Sequence, residues 1–310
     1  MPKGMKLNSV GIVAKKMTNA SGKMSNRIDQ LEQAMDQYLT TLQAPSKLKE
    51  AMRYSLDAGG KRIRPLLTLA FKEYFTGEVV TTDIDVAACI EMIHTYSLIH
   101  DDLPEMDNDD LRRGKPTNHK VFGQAMAVLA GDGLLTTAFE RLTTISLAPA
   151  VIVELTHKLA LAAGAQGMVG GQVGDILGEQ KQLTLAELQM VHEGKTGALL
   201  QYACEASAIL AAQPPTVKEI VAHFGLNFGL AFQIYDDIQD VVSTTAKMGK
   251  KVHKDQAHNK NTYPGLLGLA GAQEHLTKMV AICRSDLLQL EQITGQEPST
   301  LNEFLEYFKR

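Results

Sequence analysis

The sequence predicts an all-α protein, and three observations carry the prediction. Leu, Ala, Met, Gln and Glu are abundant, and all are strong helix formers. Trp is absent and aromatics make up only 5% of the chain, whereas β-rich proteins lean on aromatic and β-branched residues. Apolar residues recur every three or four positions, and no segment sustains a period-two alternation closed by hairpin turns. With 310 residues, 45% of them hydrophobic, the chain can bury a large core. No linker, low-complexity tract or repeat of about 20–50 residues divides it. The expected organisation is a flexible extension over 1–24 followed by one domain over 25–310.

The elements follow in order. Residues 1–24 hold lysines but no sustained apolar run, which fits neither a signal peptide nor a membrane span, and Met24 is available as an alternative start. Ile28, Leu31, Met35, Leu39 and Leu42 mark an amphipathic helix over 25–43. Pro45-Ser46 ends it, with Ser46 as the expected N-cap of a helix that runs to Gly59-Gly60. Pro65 suits a first helical turn, and Leu66 to Tyr74 continue it. Thr81-Thr82-Asp83 cap a long apolar helix over 84–106. Residues 107–120 are too polar and too rich in Gly and Pro for a core helix and read as a loop facing a cavity. Helices are expected near 121–145, 148–172, 184–212, 216–243 and 262–273, with two or three more up to Arg310. The KDQAHNKN stretch at 254–261 is a second polar loop.

The formal net charge of −4 gives no reason to expect nucleic acid or an anionic membrane surface as partner. Cys89, Cys204 and Cys283 are odd in number and far apart, which argues against a disulfide framework or a zinc site and for a reducing, cytoplasmic setting. The charges are unevenly placed. Aspartates bunch at 101–110 and 236–240, basic residues at 61–64, 112–115 and 247–260. That alternation suits an anionic ligand held through cations.

Two acidic clusters each close an apolar helical run. Asp101, Asp102 and Asp107 follow Ile93–Ile99, and Asp236, Asp237 and Asp240 follow Leu230–Tyr235. At an effective dielectric of about 20, two carboxylates about 5 Å apart repel by roughly 3 kcal/mol. Asp236 and Asp240 share one helix face, and nothing basic lies one turn away. Hard divalent cations relieve such clusters, and Mg²⁺ is typically held by one or two carboxylates plus substrate phosphates. EF-hand spacing and its central Gly are missing, which excludes a calcium loop of that type.

Basic partners accompany the acids. Gly59-Gly60-Lys61-Arg62-Ile63-Arg64-Pro65 opens a helix, where free backbone N–H groups bind anions, and Arg64 can fork onto a phosphate. Arg112-Arg113 follow the first cluster within one loop. Lys195-Thr196 sit between Gly194 and Gly197, which permit a kink that turns Lys195 toward a cavity. His94 precedes Asp101 by two helical turns and shares its face.

GGKRIRP at 59–65, SLIHDDLPEMDNDDLRRGKPT at 97–117, GDGLL at 131–135, KTGALL at 195–200 and FQIYDDIQD at 232–240 together resemble the short-chain trans-polyprenyl diphosphate synthases, from about residue 25 to near the C-terminus. The resemblance implies an isoprenoid synthase fold of roughly a dozen helices around a central cavity, usually homodimeric. It implies three Mg²⁺ ions, isopentenyl diphosphate as one substrate, and dimethylallyl or geranyl diphosphate as the other. Gly60, Lys61, Arg64, His94 and Arg113 would bind isopentenyl diphosphate. Arg112 and Lys195 would hold the allylic diphosphate. Asp101, Asp107 and Asp236 would be the main metal ligands, with Asp102, Asp237 and Asp240 in support. Lys195, Thr196 and Gln233 would lie at the reacting carbon, and Lys250 and Lys260 match lysines of the loop after the second motif. Tyr96 and the adjoining Ser97 would set chain length. A bulky Tyr96 and the four-residue spacer before Asp107 resemble bacterial farnesyl diphosphate synthases. Two departures stand out: Tyr235 before the second motif, and Asn259-Lys260-Asn261 in place of a glycine-containing loop. The alternatives are a geranylgeranyl diphosphate synthase, a terpene cyclase, which GGKRIRP argues against, and a non-catalytic subunit, which two intact acidic clusters argue against.

Overall fold

Thirteen α-helices, one π-turn and one short 3-10 turn make up most of the computed structural model, which describes residues 22–242 and 261–309. Helix α1 (Gly22–Thr41) buries Leu31, Met35 and Leu39 on the face that their spacing predicts. It begins at Gly22, so residues 22–24 belong to the helix rather than to an extension, and Met24 packs into the core at 7% exposure. Helix α2 (Ser46–Leu56) takes Ser46 as its first helical residue, with Pro45 outside it. Helix α3 (Ile63–Thr76) ends on Gly77, whose left-handed φ of 78° lets its N–H reach the Glu73 carbonyl.

Helix α4 (Thr81–Asp101) is fastened at its start by the Asp83 carboxylate, which accepts from the Val80 N–H at 2.9 Å. The helix stops at Asp101, not at 106. Pro104 cannot donate to a continuing helix, and the chain folds into turns closed by Asp107 N–H to the Asp101 carbonyl at 2.9 Å. The expected loop then contains a small hairpin, β1 (Leu111–Arg112) against β2 (Lys115–Pro116), with Arg112 paired to Lys115. Arg113 and Gly114 form its tip with φ of 54° and 77°, the double left-handed turn that suits the twist of paired strands.

Helices α5 (Asn118–Phe122) and α6 (Gln124–Thr144) divide at Gly123, and α7 (Pro149–Ala163) and α8 (Met168–Gly178) divide at a bend over 164–167, so two single helices expected from the sequence are four. Helix α9 (Leu185–His192) runs into the π-turn (Glu193–Gly197) and on into α10 (Ala198–Leu210). Helix α11 (Pro215–Val242) packs along α12 (Tyr263–Thr294), one element broken only at Gly268 that runs on past the helix end expected near 273; α13 (Ser299–Leu305) and a 3-10 turn (Glu306–Lys309) close the described chain.

Helix α10 lies at the centre. Leu199, Tyr202, Ala203, Ala206 and Ile209 join one hydrophobic layer with α1, α2, α4, α6 and α7. Leu200, Cys204 and Ala208 join a second layer with α3, α9, α11, α12 and α13. A helix wrapped on all sides must be apolar all round, as ALLQYACEASAIL is. Its one charged residue, Glu205, is met by Lys158 of α7 at 2.7 Å. Cys89, Cys204 and Cys283 are all buried and unpaired. Among the described residues no helix is long and apolar enough to cross a membrane.

Candidate active site

The C-terminal ends of α4 and α11 face a cavity of about 410 Å³. The start of α3, the hairpin, α8, the π-turn and Asn261-Thr262 just before α12 complete its wall. It gathers Gly60, Lys61, Arg64, His94, Asp101, Asp107, Arg112, Arg113, Lys195, Thr196, Gln233, Asp236, Asp237 and Asp240, residues the sequence placed in one site from motifs more than a hundred positions apart. Asp102, Tyr96 and Ser97 are not in that wall. Lys250 and Lys260 lie outside the described residues.

The acidic side divides into carboxylates that face the cavity and carboxylates held by the protein. Burial pushes the Asp101 carboxyl up to about 6, with Asp107 and Asp102 adding repulsion against the pull of Lys195 and Arg112. Asp102 is only 3% exposed and is gripped by the Arg112 guanidinium, which donates from Nε at 2.9 Å and also from Nη2 to the same oxygen. Asp237 uses both oxygens: Oδ1 accepts from Gln233 Nε2 at 2.9 Å and Oδ2 from the Tyr263 N–H at 3.0 Å. The second aspartate of each pair is therefore anchored by protein partners, Asp102 outside the cavity wall and Asp237 within it beside Asp236, while Asp101 and Asp236 line the cavity. Among the described residues no three His, Cys, Asp or Glu side chains stand close enough to hold an ion by themselves. A cation here would share protein carboxylates with water and ligand oxygens, which fits Mg²⁺.

The basic side is built on strained backbone. Gly59, Gly60 and Arg62 all have positive φ, 79°, 136° and 49°. At φ 136° Gly60 holds a backbone conformation that strains any other residue, and the Arg113 guanidinium lies over it, with Cζ 2.5 Å from where a Cβ would fall. Arg113 also donates to the Gly59 carbonyl, so the hairpin tip and the GGKR loop brace one another. Arg64 lines the cavity with no hydrogen-bond partner for its Nε. Burial holds its guanidinium down, to about 10, with Arg113 adding to the effect. An incompletely paired buried cation marks a place for an anion. His94 is driven well below its ordinary range by burial and by Arg64, Arg113, Arg112 and Arg62. It stands as a neutral imidazole, able to donate one hydrogen bond.

The expected kink around Lys195 is a π-turn, with the Ala198 N–H reaching the Glu193 carbonyl. Such bulges re-aim side chains within a helix. Thr196 Oγ1 donates to Gln233 Oε1 at 3.2 Å, and Gln233 in turn donates to Asp237. Lys195 Nζ donates to Asp175 Oδ2 at 2.6 Å.

Several functional-site residues escaped the sequence reading. Asp175 sits in a glycine-rich stretch with no basic neighbour. Glu91 binds Arg62 from the middle of an apolar helix. Tyr307 caps Lys61, accepting from its Nζ at 2.6 Å, and that ammonium also rides over the Phe232 and Tyr307 rings. His192 and Asn261 complete the wall. Asp175 and Tyr307 meet their lysines across 20 and 246 positions, and neither had a local signal in the sequence.

A helical scaffold, with one short hairpin and the loop before α3, brings two carboxylate clusters and several cations to one cavity, the architecture of the isoprenoid synthase fold. The chain belongs to the polyprenyl synthetase family, whose model matches residues 45–296. It is 55% identical over 249 residues to a farnesyl diphosphate synthase of Geobacillus stearothermophilus, covering 79% of this chain and 84% of that one. It is 49% identical to the farnesyl diphosphate synthase of Bacillus subtilis over 82% of this chain and 86% of the other. Among solved structures, a geranyltransferase from Helicobacter pylori, complexed with magnesium and isoprenyl diphosphate, superposes with a TM-score of 0.81 at 32% identity and 98% coverage of both chains.

Proposed function

We propose that this protein is a farnesyl diphosphate synthase that joins isopentenyl diphosphate head to tail to dimethylallyl or geranyl diphosphate. One observation carries the reading: Asp101, Asp107, Asp236 and Asp240 share a single cavity with Lys61, Arg64, Arg112, Arg113 and Lys195. Two bacterial farnesyl diphosphate synthases at 55% and 49% identity support it.

When bound, Mg²⁺ supplies positive charge against the departing diphosphate. Asp101, Asp107, Asp236 and Asp240 would hold it, three ions in all, with Asp102 and Asp237 fixing the two helix ends. Arg112 and Lys195 hold the allylic diphosphate and favour cleavage of its C–O bond, because their charge counts for more as the leaving group becomes anionic. Thr196, Gln233 and the π-turn backbone face the allylic cation so formed. Lys61, Arg64, Arg113 and neutral His94 hold isopentenyl diphosphate, whose double bond attacks that cation. The new C–C bond leaves a tertiary cation, which loses a proton to the released diphosphate, and no protein base is needed. Lys250 and Lys260, outside the described residues, join this proposal as further cations for the diphosphates.

Tyr96 is read as the determinant of product length. It is buried in the first hydrophobic layer, edge-on to His100 at 5.7 Å, and not in the wall of the charged cavity. The growing chain would have to enter that layer to reach it. Exposed apolar residues on α6 (Val128, Leu129), α7 (Val153, Leu161) and α8 (Val169, Val173) support a homodimer built on these helices. Buried free thiols support a cytoplasmic setting. Incubation with labelled isopentenyl diphosphate and geranyl diphosphate tests the reading: a C15 product is expected, and a C20 end product would reassign the enzyme to geranylgeranyl diphosphate synthesis.

A further inference from the structure

Helix α8 crosses the π-turn at closest approach. A Cβ on Gly194 would lie 2.8 Å from Gly171 Cα, and one on Gly171 would collide with the Lys195 amide nitrogen. On the opposite side of the turn, a Cβ on Gly229 of α11 would lie 2.7 Å from Gly197 Cα. Four glycines thus let two helices grip the turn backbone to backbone, which fixes the origin of the Lys195 side chain. Asp175 lies one helical turn after Gly171, on the same face of α8. Its Oδ2 accepts from Lys195 Nζ at 2.6 Å, and both residues line the cavity beside Asp101 and Asp236.

We propose that Asp175 is a positioning residue: together with the Gly171–Gly194 crossing it holds the Lys195 ammonium toward the allylic diphosphate before substrate arrives. A free lysine loses rotamer entropy when it is pinned. A side chain already pinned spares the substrate that cost. The lysine's charge reaches the first aspartate cluster, since Lys195 is foremost among the groups that draw Asp101 back down against burial. The carboxylate also leaves the ammonium two further protons for phosphate oxygens. This inference rests on the reading that the cavity takes an allylic diphosphate on its Lys195 side.

The test is Asp175→Asn in the full chain, with each substrate's KM measured separately and geranyl S-thiolodiphosphate, which ionises poorly, titrated calorimetrically in the presence of Mg²⁺. The variant should raise the allylic KM and the analogue's Kd by about tenfold, the scale of one lost charge-assisted contact, while the isopentenyl diphosphate KM and the Mg²⁺ midpoint stay put. Both KM values rising together, or neither moving, would overturn the assignment. A shift in the Mg²⁺ midpoint as large as the shift in allylic KM would overturn it too, by making Asp175 a metal ligand. Wild-type turnover in the same assay tests the underlying reading separately.

Discussion

Arg62 and Glu91 form an ion pair sealed from solvent: Nη1 to Oε1 is 2.7 Å and each side chain is 1% exposed. The same guanidinium donates to the Leu56 carbonyl at 2.7 Å and to Glu32 at 3.1 Å. Arg62 therefore ties α1, α2 and α4 to the loop of Lys61 and to the start of α3, which carries Arg64. Removing one partner from a buried pair leaves an uncompensated charge, at a cost of about 3–5 kcal/mol. Glu91→Ala should lose stability on that scale in urea denaturation. Its kcat/KM for isopentenyl diphosphate should fall further than that for the allylic substrate, because the displaced loop belongs to the first.

Arg64 should show the reverse trade. Its Nε has no partner and burial works against its charge. Arg64→Met should raise the melting temperature of the ligand-free protein by a few degrees, about 1 kcal/mol of relief. It should cut kcat/KM for isopentenyl diphosphate by at least about a hundredfold, the loss of a bidentate phosphate contact. A destabilised Arg64→Met would show that the guanidinium is already satisfied in the free protein.

His192 gives a pH signature. Burial holds it down to about 4, with Lys195 adding to burial and Asp175 opposing it; its Nδ1 has no partner. An unfolded histidine titrates near 6.5. Between that value and about 4 the unfolded chain binds a proton that the folded chain does not. This residue's contribution to stability is therefore full above 6.5 and declines on acidification down to about 4, by up to about 3 kcal/mol. His192→Asn should flatten the acid limb of the stability curve by that amount, measured by denaturant unfolding across that range. An unchanged limb would contradict a neutral buried imidazole.

Tyr96→Ala should lengthen the product. If the tail runs down α4 into the first hydrophobic layer, removing the ring opens a void along its path. Chromatography of the dephosphorylated products should show a C20 alcohol in place of part of the C15. A product profile identical to the wild type would remove Tyr96 as the floor.

How far the sequence reached can be judged residue by residue. The helices and both carboxylate clusters were legible because each rests on a local pattern: three-and-four spacing for α1, paired aspartates after an apolar run for α4 and α11. The ends of elements were less so. The end of α4 at Asp101 depends on Pro104 and on turns that satisfy the freed carbonyls. The hairpin at Arg113-Gly114 is signalled by two residues only. The partition within each acidic pair was not legible at all. Whether Asp102 faces a metal or Arg112, and whether Asp237 faces a metal or Gln233 and Tyr263, depends on contacts across 10 and 26 positions. Asp175 and Tyr307 meet their lysines across 20 and 246 positions, distances over which one sequence carries no signal.

Prenyl transfer from geranyl diphosphate to isopentenyl diphosphate, followed in excess EDTA and again after Mg²⁺ is restored, tests the central claim most directly. The cavity's carboxylates and cations predict no product until the metal returns, then full recovery. Undiminished turnover in EDTA would contradict the claim that Asp101 and Asp236 act through bound metal.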